Sequence, residues 1–288
     1  MIKEHTQIQT IRFTKMHGCG NNYIYVYLPE NEIPDLQKAA IDWSRQGFGI
    51  GSDGLITIEP STKADFKMRI FNNDGSEAMM CGNGVRCCGK FVRDHHLTEK
   101  KEVSFETLAG IKILQLFENE AGVVNAARVD MGIPTLQEPE QFVFFQNKTQ
   151  KYELSVLSRR FVGTFVSMGN PHFVIFLHED VENFEIEKYG PLLERHEAFP
   201  QRCNIEFANI RPDGSIRMRV WERGSGITMA CGTGACATAT AAILTQGAPA
   251  VNTIVMDGGK LSIEWQGIGT HLFMTGPAET VFEGTINI

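Results

Sequence analysis

The sequence predicts an α+β fold made of two pseudo-symmetric lobes, each with mixed or antiparallel strands around a central helix. Three observations carry this reading. Short stretches rich in β-branched and aromatic residues recur along all 288 residues, with few helical spans among them. The segment AMMCGNG, centred on Cys81, has an echo 150 positions later in MACGTG, centred on Cys231. Each copy sets a cysteine directly before Gly-x-Gly and leads into a run able to form a helix, GVRCCGKFVRDHHL and GACATATAAILTQG. The order of strands, loop, Cys-Gly-x-Gly, helix and further strands thus occurs twice, an internal repeat of about half the chain. The length suits two modest domains. The boundary falls near residue 128, giving an N-terminal lobe over 1–128 and a C-terminal lobe over 129–276. The apolar, β-rich end, 277–288, is expected to return to the first lobe.

Each element has a local cause. Residues 8–28 read as two strands around the turn HGCGNN, because alternating apolar residues flank Gly and Asn. DLQKAAIDWSRQ has helical spacing, with Asp35 as its cap. LITIEP and FKMRIF are strands, and the second runs into the Cys81 loop. VSFETLAGIKILQLF and VVNAARVDMG are strand-forming, with a turn at ENEAG, and residues 142–166 continue in β character. FVSMGNPHFVIFL is strand, sharp turn and strand, with the turn at Gly169, Asn170 and Pro171. A short helix is expected around PLLERHEAF. CNIEFANI and IRMRVWERG are strands leading to the Cys231 loop, and IVMDGG, LSIEWQG, HLFMTGPA and TVFEGTI close the chain.

Composition removes several function classes. With 42% hydrophobic and 21% charged residues, the chain has the make-up of an ordinary globular protein. A formal charge of −7 lacks the basic stripe that a nucleic-acid partner requires. No apolar run reaches the roughly 18 residues of a membrane span. The start, MIKEHTQIQTIRF, has no apolar core of a secretory signal, so a cytoplasmic protein is expected. Seven cysteines, an odd number without framework spacing, fit reduced thiols. Residues 49–54, GIGSDG, match a dinucleotide fingerprint, but a helix precedes them and a strand follows, the reverse of what that site needs. Residues 84–90 have phosphate-loop spacing, but Phe91 stands where a magnesium-binding hydroxyl belongs. No cysteine or histidine spacing suits a metal. Cys19, Cys87, Cys88, Cys203 and Cys236 are expected to be small apolar filler.

Cys81 and Cys231 differ from these five. Each stands at a helix start, where exposed backbone N–H groups lower a thiol pKa and bind anions. Glycines at 82, 84, 232 and 234 are expected to let a ligand reach the backbone. One such segment fits a nucleophile, a redox thiol or a bare helix start. Two of them, facing each other across a cleft, suggest stereoinversion, in which one thiolate takes a proton from carbon and the opposite thiol returns one. Helix N-termini at the substrate carboxylate would stabilise the enediolate-like charge.

Six blocks in order, FTKMHGCGNNY, GIGSDGL, RIFNNDGSEAMMCGNGVRC, GNPHFVIF, CNIEFANI and VWERGSGITMACGTGACA, make the chain resemble the diaminopimelate epimerases nearly end to end. The resemblance implies epimerisation of L,L- to meso-diaminopimelate in lysine and peptidoglycan precursor synthesis. It also implies an enzyme free of cofactor and metal, a site between the lobes and a homodimer. It makes Cys231 the proton acceptor and Cys81 the donor, with His172 and Glu222 tuning them. It assigns the reacting carboxylate to the amides of Gly82, Asn83, Gly232 and Thr233. Asn21, Asn72, Asn170 and Asn204 would contact substrate, with Arg223 on the distal carboxylate and Glu222 on the distal ammonium. The chain departs from the commonest pattern at Cys19, Asn22 and Tyr23, where GLGNDF is frequent, and at Gly54, where a glutamine is usual. A histidine- or proline-type racemase, or a non-catalytic thiol or amino-acid-binding protein, are the alternatives.

Overall fold

The computed structural model describes residues 9–144 and 150–288. Residue 8 of the first expected strand and residues 145–149 of the expected β stretch lie outside them. The chain divides into two compact units, one comprising residues up to Ala127 together with Pro277–Ile288, the other Arg128–Gly276.

The first unit contains β1 (Thr10–Gly18), β2 (Asn21–Tyr27), α1 (Leu36–Ser44), β3 (Gly54–Glu59), β4 (Phe66–Asn72), β5 (Glu77–Ala78), α2 (Gly82–Asp94), β6 (Glu102–Thr107) and β7 (Gly110–Glu118). β8 (Val124–Gly132) runs across the division. The second unit contains β9 (Tyr152–Val156), β10 (Arg159–Ser167), β11 (Pro171–Phe176), α3 (Ile186–Glu194), β12 (Asn204–Ile210), β13 (Ile216–Glu222), β14 (Gly226–Ile227), α4 (Gly232–Gln246), β15 (Val251–Met256), β16 (Gly259–Trp265) and β17 (Leu272–Pro277). β18 (Glu279–Asn287) belongs to the first unit.

The wiring is the same in both units. β1 and β2 form an antiparallel pair, β2 lies parallel to β3, β3 antiparallel to β4, and β4 parallel to β6. β10 and β11, then β12, β13 and β15, repeat that series step for step. The outer neighbour of the first hairpin differs: β18 pairs with β1, and β9 with β10. The α+β class and the repeated architecture are therefore as the sequence predicts.

Each unit buries its own central helix. α2 is buried from Gly82 to Val92. α4, a run of Ala, Thr and Gly, is buried through Ala242 and ends at Gly247 in the left-handed region, φ 71°. Its small side chains let it lie close to the strands, with Ala237 and Ala241 against Val166 and Val174. The opposite face of the second unit is aromatic, with Phe142 stacked on Phe165 at 4.9 Å and Phe161, Phe184, Tyr189 and Phe207 in the same cluster. In the first unit α1 covers the equivalent face through Ala39, Ala40 and Trp43. Its predicted cap forms, the Asp35 carboxylate accepting from the Lys38 amide at 2.9 Å.

Two elements differ from expectation. The helix expected around PLLERHEAF instead spans Ile186–Glu194, with Pro191 inside it. Ile186, Tyr189 and Leu193 enter the aromatic cluster, and that burial outweighs the preference of proline for a helix start. The stretch VSFETLAGIKILQLF is divided at Leu108 and Ala109 into the antiparallel pair β6 and β7. Among the described residues, no helix is long and apolar enough to cross a membrane.

Candidate active site

In the first unit the predicted residues gather where β2, β4 and α2 begin or end. Cys81 is the residue that caps α2: its sulfur accepts from the Gly84 amide at 3.3 Å. Its thiol donates to Asn21 Oδ1 at 3.2 Å, and Asn83 Nδ2 approaches the same oxygen at 3.4 Å. Asn21 is held from behind, since its Nδ2 donates to Asp53 Oδ2 at 2.9 Å. That carboxylate also accepts from the Asn22 amide at 2.8 Å, so the Asn21 carbonyl is turned towards the thiol. Asn72 ends β4 and donates through Nδ2 to Ser76 Oγ at 3.0 Å, while the next amide, Asn73, donates to the Asp53 carbonyl. Gly82 and Asn83 form the first turn of α2, where amides have no preceding carbonyl in their own helix. Arg86, 0% exposed, ties this turn down by donating to Gly82 O, Asn83 Oδ1 and Pro277 O.

The second unit builds a matching end with different charges. Cys231 caps α4 and accepts from the Gly234 amide at 3.3 Å, with Thr233 Oγ1 at 3.5 Å. Asn170 Nδ2 lies 3.4 Å from that hydroxyl, and Asn170 Oδ1 lies 3.1 Å from His172 Nε2. Glu222, the last residue of β13, accepts from the Thr228 hydroxyl. Asn204 spends its amide on the scaffold: Nδ2 donates to Pro171 O at 2.8 Å and Oδ1 accepts from the Arg223 amide at 2.9 Å. The Arg223 guanidinium is at the surface, donating to Gln201 O at 3.1 Å. His172, Glu222, Cys231, Thr233, Asn170, Asn204 and Arg223 are thus brought to one end of one unit. Asn21, Asn72, Cys81, Gly82 and Asn83 are brought to the corresponding end of the other.

Two expectations about the cysteines need correction. A helix start should depress a thiol pKa, yet Cys231 is pushed well above its ordinary value. Burial is the largest cause, with the carboxylates of Glu222 and Glu206 adding to it, and together they outweigh the helix amides. Burial likewise raises the Glu222 carboxyl. The second glycine of each Gly-x-Gly is also not an opening for a ligand. A Cβ at Gly84 would stand 2.7 Å from Ile56 Cδ1, so this glycine lets α2 lie on the sheet. A Cβ at Gly234 would stand 2.7 Å from Glu206 Oε1 and 3.2 Å from Cys231 Sγ.

Sequence reasoning missed Asp53, Arg86 and Glu206. Glu206, 0% exposed, faces His172 Nδ1 at 2.7 Å, and His172 is 0% exposed as well. One signal was present: in NIEFANI a glutamate occupies an interior position of a strand whose neighbours are apolar.

The fold is shared with solved enzymes that act at carbon stereocentres. A hydroxyproline epimerase from Agrobacterium vitis, with bound trans-4-hydroxy-L-proline, superposes with a TM-score of 0.71, covering 97% of this chain and 93% of that one at 15% identity. At that identity the fold alone is shared. The sequence comparison is narrower. The family model for diaminopimelate epimerase matches residues 13–137 and 164–281. A diaminopimelate epimerase from Phocaeicola vulgatus is 53% identical over 97% of this chain and 99% of its own. Another, from Agathobacter rectalis, is 51% identical over 96% and 100%. The chain belongs to the diaminopimelate epimerase family.

Proposed function

We propose that this chain interconverts L,L- and meso-diaminopimelate without a cofactor, using Cys231 and Cys81 as a proton acceptor and donor. What carries this reading is the pair of cysteine-capped helices, one per unit, in a chain of this family. In the L,L-to-meso direction, the Cys231 thiolate breaks the α-carbon–hydrogen bond. The electron pair stays on carbon and spreads into the adjacent carboxylate. The Cys81 S–H then delivers its proton to the opposite face, and configuration inverts. Amides of Gly82 and Asn83 and of Gly232 and Thr233 hold the carboxylate as charge grows on it.

The surroundings of the two thiols support the assignment of roles. The Asn21 carbonyl accepts from Cys81, which favours the protonated form a donor needs. The Gly234 amide donates to the Cys231 sulfur as the Gly84 amide does to Cys81, so that bond favours a thiolate equally at both, and the acceptor role of Cys231 is carried by the family membership. Glu222 and His172 adjust that balance, while Asn72, Asn170, Asn204 and Arg223 place the distal amino-acid end, with Glu222 on its ammonium. A homodimer working in the cytoplasm completes the proposal.

Solvent exchange tests it. Purified, reduced protein in D2O, with no added cofactor, should place deuterium at the α-carbon of diaminopimelate as it epimerises. Absence of exchange with diaminopimelate, beside rapid exchange with another amino acid, would reassign the substrate. Exchange with no amino acid would remove the catalytic reading.

A further inference from the structure

The face of the second unit beneath α4 is largely apolar and carries a buried carboxylate at one place. Strand β12 sends Ile205 and Phe207 into the aromatic cluster, so Glu206 and Ala208 point the other way, towards α4. Its neighbours in register are Val174 of β11 and Val220 of β13. A carboxylate in such a layer costs several kcal/mol unless it is paired. The pair is His172, whose Nδ1 lies 2.7 Å from Glu206 Oε1, both side chains being fully buried. The other carboxylate oxygen, Oε2, is buried without a hydrogen-bond partner. Gly234 makes the arrangement possible, because any larger residue there would strike Glu206 Oε1. From the carboxylate a chain of polar contacts leads to the thiol: His172 Nε2 to Asn170 Oδ1 at 3.1 Å, Asn170 Nδ2 to Thr233 Oγ1 at 3.4 Å, and Thr233 Oγ1 to Cys231 Sγ at 3.5 Å.

We propose that Glu206 is a positioning residue for the proton-accepting half of the reaction, fixing a proton on His172 Nδ1 and holding the ring as the imidazolium that offsets the Cys231 thiolate. A carboxylate only accepts, so Nδ1 must carry hydrogen, and the exchangeable proton is confined to Nε2. Nε2 faces the Asn170 amide. That amide accepts from the imidazolium through Oδ1 or, turned over, donates to a neutral ring through Nδ2. The titratable groups nearest the ring are Glu206 on β12 and Glu222 at the end of β13. Those carboxylates in turn act on Cys231 at the start of α4, and Glu206 acts on Cys203, which Arg223 also faces. A carboxylate beside an imidazole favours its charged form, and removing that carboxylate disfavours it. Before proton transfer the charges to be balanced are the thiolate, the imidazolium and Glu206, all on one unit; on transfer the negative charge leaves the sulfur for the substrate carbon and its carboxylate. This rests on the epimerase reading for its kinetic consequence and on geometry alone for the ring proton.

Two measurements test it separately. In the wild-type protein labelled with ¹⁵N-histidine, His172 should show a protonated Nδ1 at every pH at which the protein is folded, with any titration confined to Nε2. Observation of the neutral Nε2–H tautomer would overturn the proposal, whatever the protein catalyses. In the variants, Glu206→Gln should lower kcat for diaminopimelate about tenfold or more with little change in KM. It should also move the alkaline limb of the kcat/KM profile to lower pH, because the imidazolium loses its partner. Glu206→Asp should restore the limb in part. A Glu206→Gln enzyme with unchanged kcat and an unmoved limb would overturn the proposal. So would one whose loss is matched by a lowered Tm with the limb unmoved, since that is a packing effect. If the wild type epimerises nothing, the proposed function fails while the ring-proton measurement still decides the role of Glu206.

Discussion

The two units use one wiring diagram and arrive at opposite electrostatics. Asn72 stands nine positions before Cys81, as Glu222 stands before Cys231, and each residue ends the matching strand, β4 or β13. The first unit therefore has an amide where the second has a half-buried carboxylate. Both sulfurs accept from a helix amide; the first thiol is half-buried and meets a carbonyl acceptor, while the second is 7% exposed and meets a hydroxyl and two carboxylates. Duplicated topology delivers two thiols in equivalent places, and what distinguishes their surroundings is a handful of flanking side chains.

Several experiments can break or sharpen this contrast. The largest effect should come from the thiols themselves. Cys81→Ala and Cys231→Ala should each reduce epimerisation of diaminopimelate about a thousandfold, within the range of an acid/base group. If either variant keeps a tenth of the activity, the two units are not partners in one reaction.

Arg86→Met should come next, through stability rather than chemistry. It strips three acceptors of a buried charged donor and should cost about 2–4 kcal/mol in denaturant unfolding. A loss below about 0.5 kcal/mol would mean that the Gly82 turn is not held from this side.

Alanine at the two packing glycines should separate the units by kind of damage. Gly84→Ala meets the flexible ends of Ile56 and Met68 and should cost about 1–3 kcal/mol of stability. Gly234→Ala meets a carboxylate and the thiol, so activity should fall further than Tm explains. Equal ratios of activity loss to stability loss in the two variants would erase the distinction.

The smallest effect concerns thiol reactivity. Burial and carboxylates raise Cys231, so its thiolate forms only at a pH well above that of an ordinary thiol. Glu222→Gln removes one of those charges and should speed alkylation of Cys231 by iodoacetamide at pH 8 severalfold. Asn72→Asp writes the same charge into the first unit and should slow alkylation of Cys81. Rates that move the other way would show that desolvation alone sets the difference.

How much of this was legible in the sequence depends on the range of each interaction. Cys81 and Cys231 could be found because a helix start is local chemistry, a cap followed by Gly-x-Gly. Asp35 could be found for the same reason. The start of α3 could not, because Pro191 signals locally what the packing of Tyr189 and Leu193 overrules. Asp53 and Glu206 escaped because each acts on a residue about thirty positions away through a parallel strand pair, β2 with β3 and β11 with β12. Parallel pairing leaves no short spacing to read. The role of Gly234 escaped too, since what excludes a side chain there is a glutamate on another strand.

The pairing of β1 with β18 has a consequence for how the protein is made. The unit Arg128–Gly276 is one unbroken length of chain and is fully synthesised while the last twelve residues are still unread. The Cys81 half lacks an outer strand, and Arg86 lacks its Pro277 carbonyl, until residues 277–288 have been made. The Cys231 half is thus one contiguous stretch of chain, whereas the Cys81 half is assembled from two separate stretches. The Cys81 half therefore depends on a contact of long sequence separation that the Cys231 half does not need, and deleting Pro277–Ile288 should unsettle the first unit before the second.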